Sequence, residues 1–145
     1  MIRIVLVTHG EFGAYLLEAA EGIIGRQRDC LDVLSISSRA PAEEIKRRLE
    51  GARKEFCGKD GVIFLTDIVC GTPTNMVLPL AGELEHSAVL SGVNLNMVLS
   101  AFSYRNKLPF DKLVAKVLED GKKAICDVKE LIAKMNKAGD AKDCA

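Results

Sequence analysis

Short apolar runs alternate with longer amphipathic stretches along this chain, and this alternation restricts its fold more than any other feature. The four apolar runs have the length of buried strands and cover residues 2–7, Leu31–Ile36, 61–66 and 87–91. A stretch with helical periodicity follows each run, at residues Phe12–Ile24, 41–56, 72–84 and 97–104. Strands that alternate with helices in this way are typical of an α/β fold with a parallel sheet.

The chain therefore predicts an α/β fold with a doubly wound, mainly parallel sheet and helices on both faces. Right-handed crossovers limit the ways in which such a sheet can be wound. We expect the flavodoxin-like strand order 2-1-3-4, in which the first and third strands are neighbours. Ligand sites in such folds lie at the carboxyl ends of the strands where the winding direction changes. That point falls between the first and third strands here.

Local signals support the predicted helix ends. Thr72 is typical of an N-cap residue, and Pro73 is typical of the first helical position. One long helix is predicted for residues 110–135, because apolar residues form a continuous stripe along it. The polar segment 138–145 is expected to be a loose tail.

Length and composition fit one domain over residues 1–145 and exclude several classes of partner. Hydrophobic residues make up 48% of the chain and aromatic residues only 5%, so the core must be largely aliphatic. Twenty Lys and Arg residues balance 20 Asp and Glu residues, which leaves no basic excess for binding nucleic acid or an anionic membrane. No apolar run approaches the roughly 20 residues that span a bilayer, and no signal-peptide pattern is visible, so we expect a cytoplasmic protein.

The cysteines give no sign of a disulfide framework or a metal site. Their number is odd, and no two are spaced as Cys-x-x-Cys. We therefore expect free thiols, no metal and no cofactor. The five residues are Cys30, Cys57, Cys70, Cys126 and Cys144.

A histidine and an aspartate stand at the carboxyl ends of the two strands that are expected to be neighbours. His9 follows the first strand, and Asp67 follows the third. A neutral imidazole is a nucleophile, and a carboxylate that accepts its other N–H fixes the tautomer and stabilises positive charge on the ring. Backbone N–H groups in the adjoining loops can hold an anion. The candidate phosphate-binding residues are Gly10, Gly71, Thr72 and Asn94.

Each of these residues alone has a simpler explanation. A single histidine is commonly structural or on the surface, and His86, in a polar stretch, is assigned to the surface. Asp67 could cap a loop, while Gly71 and Thr72 could simply begin a helix. His9 and Asp67 together at one switch point favour a functional pair. Phosphoryl transfer needs mainly positioning and charge stabilisation, which such a set can supply.

Three motifs in register resemble the IIA component of the mannose-type (mannose/fructose/sorbose) phosphoenolpyruvate-dependent sugar phosphotransferase system. They are IVLVTHG from residue 4, GVIFLTD from residue 61 with GTPTN from residue 71, and SGVNL from residue 91. The resemblance covers nearly the whole chain. Two positions depart from the family pattern, because Asn96 replaces a common proline and Cys70 stands in a loop that often carries an aromatic residue and paired glycines.

The resemblance implies a phosphohistidine carrier that needs no cofactor. His9 corresponds to the histidine phosphorylated by the phosphocarrier protein HPr, and Asp67 to the aspartate hydrogen-bonded to it. Gly71 and Thr72 fall in the loop that borders the phosphoryl group. Family members are usually homodimers with a strand exchanged between subunits, and they pass the phosphoryl group to a histidine-dependent IIB partner that phosphorylates sugar during uptake. No IIB domain follows in this sequence, so we expect a stand-alone IIA protein with a separate acceptor.

Other functions remain open at this point. Thr8-His9-Gly10 is similar to the Arg-His-Gly motif of histidine phosphatases and mutases, but Thr8 replaces the arginine and only His86 is left as a second histidine. A receiver-like signalling domain phosphorylated on Asp67 would need acidic residues where this chain has Thr8 and His9. Within the resembled family, the protein could feed a sugar transporter, act as a regulatory phosphoacceptor in an incomplete system, or donate phosphate to dihydroxyacetone kinase.

Overall fold

The computed structural model describes residues 1–56 and 60–143 and confirms the predicted alternation of strands and helices. The strands are β1 (Arg3–His9), β2 (Leu31–Ile36), β3 (Val62–Thr66) and β4 (Ser87–Leu90). The helices are α1 (Phe12–Ile24), α2 (Ala42–Phe56), α3 (Thr72–Gly82), α4 (Leu95–Tyr104), α5 (Phe110–Lys123) and α6 (Val128–Asp143).

The strands form one parallel sheet in the order β2-β1-β3-β4, which confirms the predicted order. β1 and β3 are the central strands, and Val7 of β1 pairs with Thr66 of β3 near their carboxyl ends. On its other side β1 pairs with β2 as far as His9, which lies opposite Ile36. The carboxyl ends of β1, β2 and β3 therefore lie at one edge of the sheet. The winding direction changes at this edge, between β1 and β3.

Both faces of the central strands are buried under helices. Alternate side chains of a strand point to opposite faces of the sheet. Ile4 and Leu6 of β1 pack with residues of α1, α4 and α5, whereas Val5 and Val7 pack with residues of α2 and α3. Burial of each such aliphatic side chain contributes roughly 1.5–3 kcal/mol. This aliphatic core holds the carboxyl ends of β1 and β3 in fixed positions.

The single helix predicted for residues 110–135 is wrong, because the chain breaks between α5 and α6. The reason is a capping side chain. The Asp127 Oδ1 atom accepts the backbone N–H groups of Lys129 at 2.9 Å and Glu130 at 3.2 Å. An aspartate in this arrangement begins a new helix, although the apolar stripe continues across the break.

The C-terminal part of the described chain is helical. Residues 138–143, in the predicted loose tail, continue α6. Within residues 1–56 and 60–143 there is no fifth strand, so the exchanged strand implied by the resemblance has no counterpart in that part of the chain. The expected free thiols of Cys57 and Cys144 lie outside the described residues. The described cysteines are free, and they are Cys30, Cys70 and Cys126.

Candidate functional site

The structure brings His9 and Asp67 together at the carboxyl edge of the sheet. His9 is the last residue of β1, and Asp67 directly follows β3. The Oδ2 atom of Asp67 lies 2.8 Å from Nδ1 of His9 and accepts the His9 backbone N–H at 2.9 Å. The other carboxylate oxygen accepts the N–H of Ile68 at 3.0 Å. One carboxylate therefore fixes both the backbone and the ring of His9.

Hydrogen bonding keeps the Asp67 carboxyl group ionised. Burial acts to raise its pKa, but the hydrogen bonds from the His9 backbone and ring, helped by the charge of the ring, outweigh burial and hold the pKa below its ordinary value. The group that faces Nδ1 of His9 at neutral pH is thus a carboxylate. A carboxylate in this position holds a proton on Nδ1 and leaves the lone pair on Nε2.

The side chain of His9 is accessible to solvent. The His9 side chain is 47% exposed, whereas the Asp67 side chain is only 11% exposed. Gly71 lies against the ring, and a Cβ atom at this position would come within 2.8 Å of Cε1 and 3.5 Å of Nε2. The missing side chain at Gly71 therefore leaves space beside Nε2. With Nδ1 engaged by Asp67, Nε2 is the ring nitrogen that remains for another contact.

The beginning of α3 supplies backbone donors beside this ring. No side chain caps α3 at Gly71, and Pro73 has no N–H to offer. The N–H groups of Thr72 and Thr74 remain, because donors in the first turn of a helix have no acceptor within the helix. Thr72 lines the same pocket as His9. The N-terminal end of a helix attracts anions through these donors and through the helix dipole.

Two of the N–H groups expected to be open are engaged in the fold, which corrects the sequence analysis. The Gly10 N–H donates to the Ile36 carbonyl at 2.8 Å, and the Gly71 N–H donates to the Ile68 carbonyl at 3.3 Å. Gly10 instead turns the chain out of β1, with a φ of +51° that favours glycine. Gly71 gives the ring room. Both glycines shape the site, but neither presents the free backbone N–H that was expected of it.

Asn94 holds two helices together, and its assignment as a phosphate-binding residue stays a prediction. It is the N-cap of α4, and its Oδ1 atom accepts the Met97 N–H at 3.0 Å. Its amide nitrogen donates to the Gly121 carbonyl of α5 at 3.0 Å. Both polar atoms of the side chain are thus engaged inside the fold, and the residue ties α4 to α5.

Comparison with known proteins assigns this arrangement to a family. The family model EIIA-man, described as the fructose IIA component of the phosphotransferase system (PTS), matches residues 3–118, a range that includes His9 and Asp67. The chain belongs to the EIIA-man family. It is therefore a IIA component of the mannose-type PTS, a family of phosphotransfer proteins. This assignment excludes the histidine phosphatase and receiver families considered above.

Two curated relatives show how the EIIA-man chain compares in length. The chain is 33% identical over 130 residues to the PTS system mannose-specific EIIAB component of Escherichia coli K12, a match that covers 86% of the chain and 38% of the relative. It is 27% identical over 114 residues to the PTS system fructose-specific EIIA component of Bacillus subtilis 168, covering 79% of the chain and 77% of the relative. The chain thus spans well under half the length of the EIIAB relative.

Solved structures share the fold of this EIIA-man chain. The PTS component EIIA from Streptococcus agalactiae is 29% identical and superposes with a TM-score of 0.80, covering 90% of this chain and 99% of that one. The mannose/sorbose-specific IIA subunit from Enterococcus faecalis is 24% identical, with a TM-score of 0.76, and covers 86% of this chain and 92% of that one. The second likeness concerns the fold alone.

A pocket of about 300 Å³ opens beside His9 and extends toward the end of β2. Its lining includes Thr72 of α3 together with Ser37 and Ser38, which follow β2. Sequence reasoning missed the two serines. The signal was present, because β2 is a neighbour of β1 in the predicted order and Ile36 pairs with His9, so the loop after β2 must open at the same edge.

Exposed apolar side chains stand in the segments that follow β1 and β3. Phe12 at the start of α1 is 45% exposed, and Ile68 and Val69 in the loop after β3 are 56% and 69% exposed. Cys70, one of the departures from the family pattern, is exposed in the same loop. Exposed apolar side chains near a reactive group are typical of a surface that contacts another protein.

The described residues hold no group of three or more His, Cys, Asp or Glu side chains that could bind a metal ion. In the same ranges, 1–56 and 60–143, none of the helices is long and apolar enough to cross a membrane. The carboxylate at the site, Asp67, is already occupied by the N–H groups of His9 and Ile68.

Proposed function

We propose that His9 of this EIIA-man protein accepts a phosphoryl group from HPr and passes it to a IIB partner during sugar uptake and phosphorylation. One observation carries the proposal. Asp67 holds Nδ1 of His9 at 2.8 Å, while 47% of the His9 side chain remains exposed. The attacking atom is then Nε2, which combines a free lone pair with access for a protein partner.

The proposed step is a displacement at phosphorus. The Nε2 lone pair forms the new N–P bond, and the bond between phosphorus and the donor histidine breaks. The electron pair of that bond returns to the donor imidazole, and the proton on Nδ1 of His9 stays between the ring and Asp67. The same step in reverse, with a new acceptor, passes the phosphoryl group on.

Two groups stabilise the charges that develop during this step. Attack by Nε2 makes the imidazole positive, and the Asp67 carboxylate next to Nδ1 compensates that charge. The phosphoryl oxygens carry negative charge and face the N-terminal end of α3, where Thr72 offers its N–H and its hydroxyl. The role of the protein is thus positioning and electrostatics, as phosphoryl transfer requires.

The proposal includes the partners and the setting. The apolar rim formed by Phe12, Ile68 and Val69 would contact first the donor and then the acceptor, in the cytoplasm where HPr would meet the protein. A homodimer is part of the proposal because large apolar side chains between Ile125 and Met135 are exposed along α6 and just before it. Asn96 and Cys70, the two departures from the family pattern, would adapt the contacts with the donor and the acceptor to the particular partners of this protein.

Phosphorylation of the purified protein tests this proposal directly. Incubation with phosphoenolpyruvate, enzyme I and HPr should add one phosphoryl group, detected by intact mass. The product should be lost in acid and kept in base, as expected for phosphohistidine. His9→Ala should abolish the product, whereas His86→Ala is the matched control because His86 is the other histidine of the chain. Phosphorylation of His9→Ala at the wild-type level would refute the assignment.

The acceptor decides between the roles within the family. Phosphorylated protein mixed with a candidate IIB domain should lose its phosphoryl group to that domain. Transfer to dihydroxyacetone kinase instead would replace sugar uptake by the role of phosphoryl donor to that kinase. Transfer to neither acceptor would replace it by the role of regulatory phosphoacceptor. The neighbouring genes would indicate which acceptors to test first.

A further inference from the structure

Buried threonines lie directly behind His9 and Asp67. The chain contains only four threonines, and all of them belong to this edge of the sheet. Thr72 is exposed, whereas Thr8 and Thr66 are completely buried and Thr74 is 4% exposed. Thr8 immediately precedes His9, and Thr66 immediately precedes Asp67. A buried hydroxyl is costly unless it is hydrogen-bonded, so the partners of these hydroxyls indicate what the hydroxyls hold in place.

Thr66 and Thr74 join the end of β3 to the first turn of α3. Their hydroxyl oxygens lie 2.7 Å apart, and the Thr74 hydroxyl donates to the Ile68 carbonyl at 2.6 Å. Because Thr74 uses its proton on that carbonyl, the Thr66 hydroxyl must donate to Thr74. The relay thus fixes the residues on both sides of Asp67.

Thr8 makes the corresponding connection from β1 to α1. Its hydroxyl oxygen accepts the Gly13 backbone N–H at 2.7 Å. The approach is close, because a Cβ atom at Gly13 would lie 2.9 Å from the same oxygen and 3.4 Å from the Cβ of Leu6. The turn that contains His9 and Gly10 is therefore held between a buried hydroxyl and the first turn of α1.

We propose that Thr8, Thr66 and Thr74 are positioning residues, whose hydroxyl hydrogen bonds set the placement of His9 relative to Asp67 and thereby the rate of phosphoryl transfer. The inference rests on the proposed function of His9. None of the three hydroxyls touches the reacting atoms. They act on the backbone that carries the Nδ1–Oδ2 hydrogen bond, where a displacement of 1 Å can cost a factor of about 100 in rate.

Two substitutions of Thr74 test the inference. Thr74→Val keeps the shape of the side chain and removes the hydroxyl, whereas Thr74→Ser keeps the hydroxyl. The first should lower the rate of phosphorylation by HPr about 10- to 100-fold, and the second should restore it to within about threefold of wild type. Ser87→Ala is the matched control, because the Ser87 hydroxyl binds the Ala81 carbonyl at the other end of α3, at 2.6 Å.

A second measurement reports on position without any transfer. The ¹⁵N and ¹H NMR signals of the His9 ring should move in Thr74→Val, because its Nδ1–H hydrogen bond to Asp67 changes, and should remain at the wild-type position in Thr74→Ser and Ser87→Ala. If the wild-type protein accepts no phosphoryl group, the proposed function fails, yet the NMR signals still decide whether Thr74 positions His9.

The inference is overturned if Thr74→Val keeps both the wild-type rate and the wild-type ring signals. It is also overturned if Thr74→Ser loses as much rate as Thr74→Val, since the methyl group would then be the important part. If Thr74→Val does not fold, Thr8→Val and Thr8→Ser provide the same comparison on the β1 side. An unchanged rate in folded Thr8→Val would then refute the proposal.

Discussion

At the scale of single residues, Asp67 matters because one carboxylate accepts N–H groups from the His9 backbone, the His9 ring and Ile68. Its side chain is only 11% exposed, so water replaces these bonds poorly. The carboxylate therefore has two consequences that can be separated by experiment. It stabilises the fold by fixing the end of β1 to the end of β3, and it orients the ring of His9.

Asp67→Asn should lower the free energy of unfolding by about 1–3 kcal/mol at neutral pH, because hydrogen bonds to a charged group are lost. The folded pKa of Asp67 lies below its ordinary value, so its stabilisation is complete above the unfolded pKa of about 3.9 and disappears as pH falls through the folded pKa. Urea unfolding of both proteins from about pH 3 to about pH 7 measures the difference in their free energies of unfolding. This range begins about one unit below the unfolded pKa and ends well above it. A difference that persists unchanged at the lowest pH would contradict this expectation.

Gly71→Ala should slow phosphorylation of His9, because the new Cβ atom would come within 2.8 Å of Cε1 in the ring. The ring must then shift away from its position between Asp67 and α3, and we expect a loss of about 10-fold or more in rate. The measurement is the initial rate of phosphorylation by HPr. Gly22→Ala is the control, because a Cβ atom at Gly22 in α1 meets no other atom within 4 Å. Equal rates for the two variants would count against the close packing of Gly71 on His9.

The sequence indicated which residues meet at the site, but it did not indicate which polar atoms are free. The juxtaposition of His9 and Asp67 follows from the strand order. The use of the Gly10 N–H by Ile36, and of the Asn94 amide by Gly121, depends on three-dimensional contacts that no local motif encodes. Hydrogen-bond partners distant in sequence are therefore the part of the site that sequence reasoning could not supply.

At the scale of helices and strands, hydrophobic periodicity was sufficient to predict the bounds of an element where tertiary packing and local sequence agree. The predicted strand Leu31–Ile36 and helix Phe12–Ile24 have the same bounds in the structure. In the segment 110–135 packing and local sequence do not agree. Its apolar stripe continues past the end of α5, but the later part of the stripe is exposed, with Ile125 at 80% and Val128 at 60%. Periodicity identifies the apolar face of a helix, but it does not show whether other residues of the same chain bury that face.

Asp127→Ala should loosen the first turn of α6, because Asp127 Oδ1 caps the N–H groups of Lys129 and Glu130. Loss of such a cap costs about 1 kcal/mol of helix stability. Hydrogen exchange at the amides of these two residues should become several-fold faster. The control is Asp111→Ala, which removes an acidic residue from the first turn of α5, where no side chain forms a capping hydrogen bond. Equal acceleration of the first-turn amides in both helices would mean that charge, rather than the cap, stabilises α6.

At the scale of the whole molecule, the sheet and α6 present different kinds of surface. The core of the sheet is closed on both faces by helices of the same chain. The large apolar side chains at the other end of the chain are 44–80% exposed, and they are Ile125, Val128, Leu131, Ile132 and Met135. An amphipathic helix with an uncovered apolar face is typical of contacts between subunits. This face is the surface on which we expect the proposed homodimer to form.

Ile132→Glu should convert the proposed homodimer to a monomer, because it places a charge in the apolar face of α6 at a side chain that is 51% exposed in the single chain. A charge buried in an interface without a partner is strongly unfavourable. Light scattering coupled to size-exclusion chromatography measures the mass of each protein at several concentrations. The matched control is Ile23→Glu, since Ile23 is 62% exposed on α1, and this variant should keep the mass of the wild-type dimer. A wild-type protein that is monomeric throughout, or an Ile132→Glu variant that remains dimeric, would show that α6 does not join two copies of the chain.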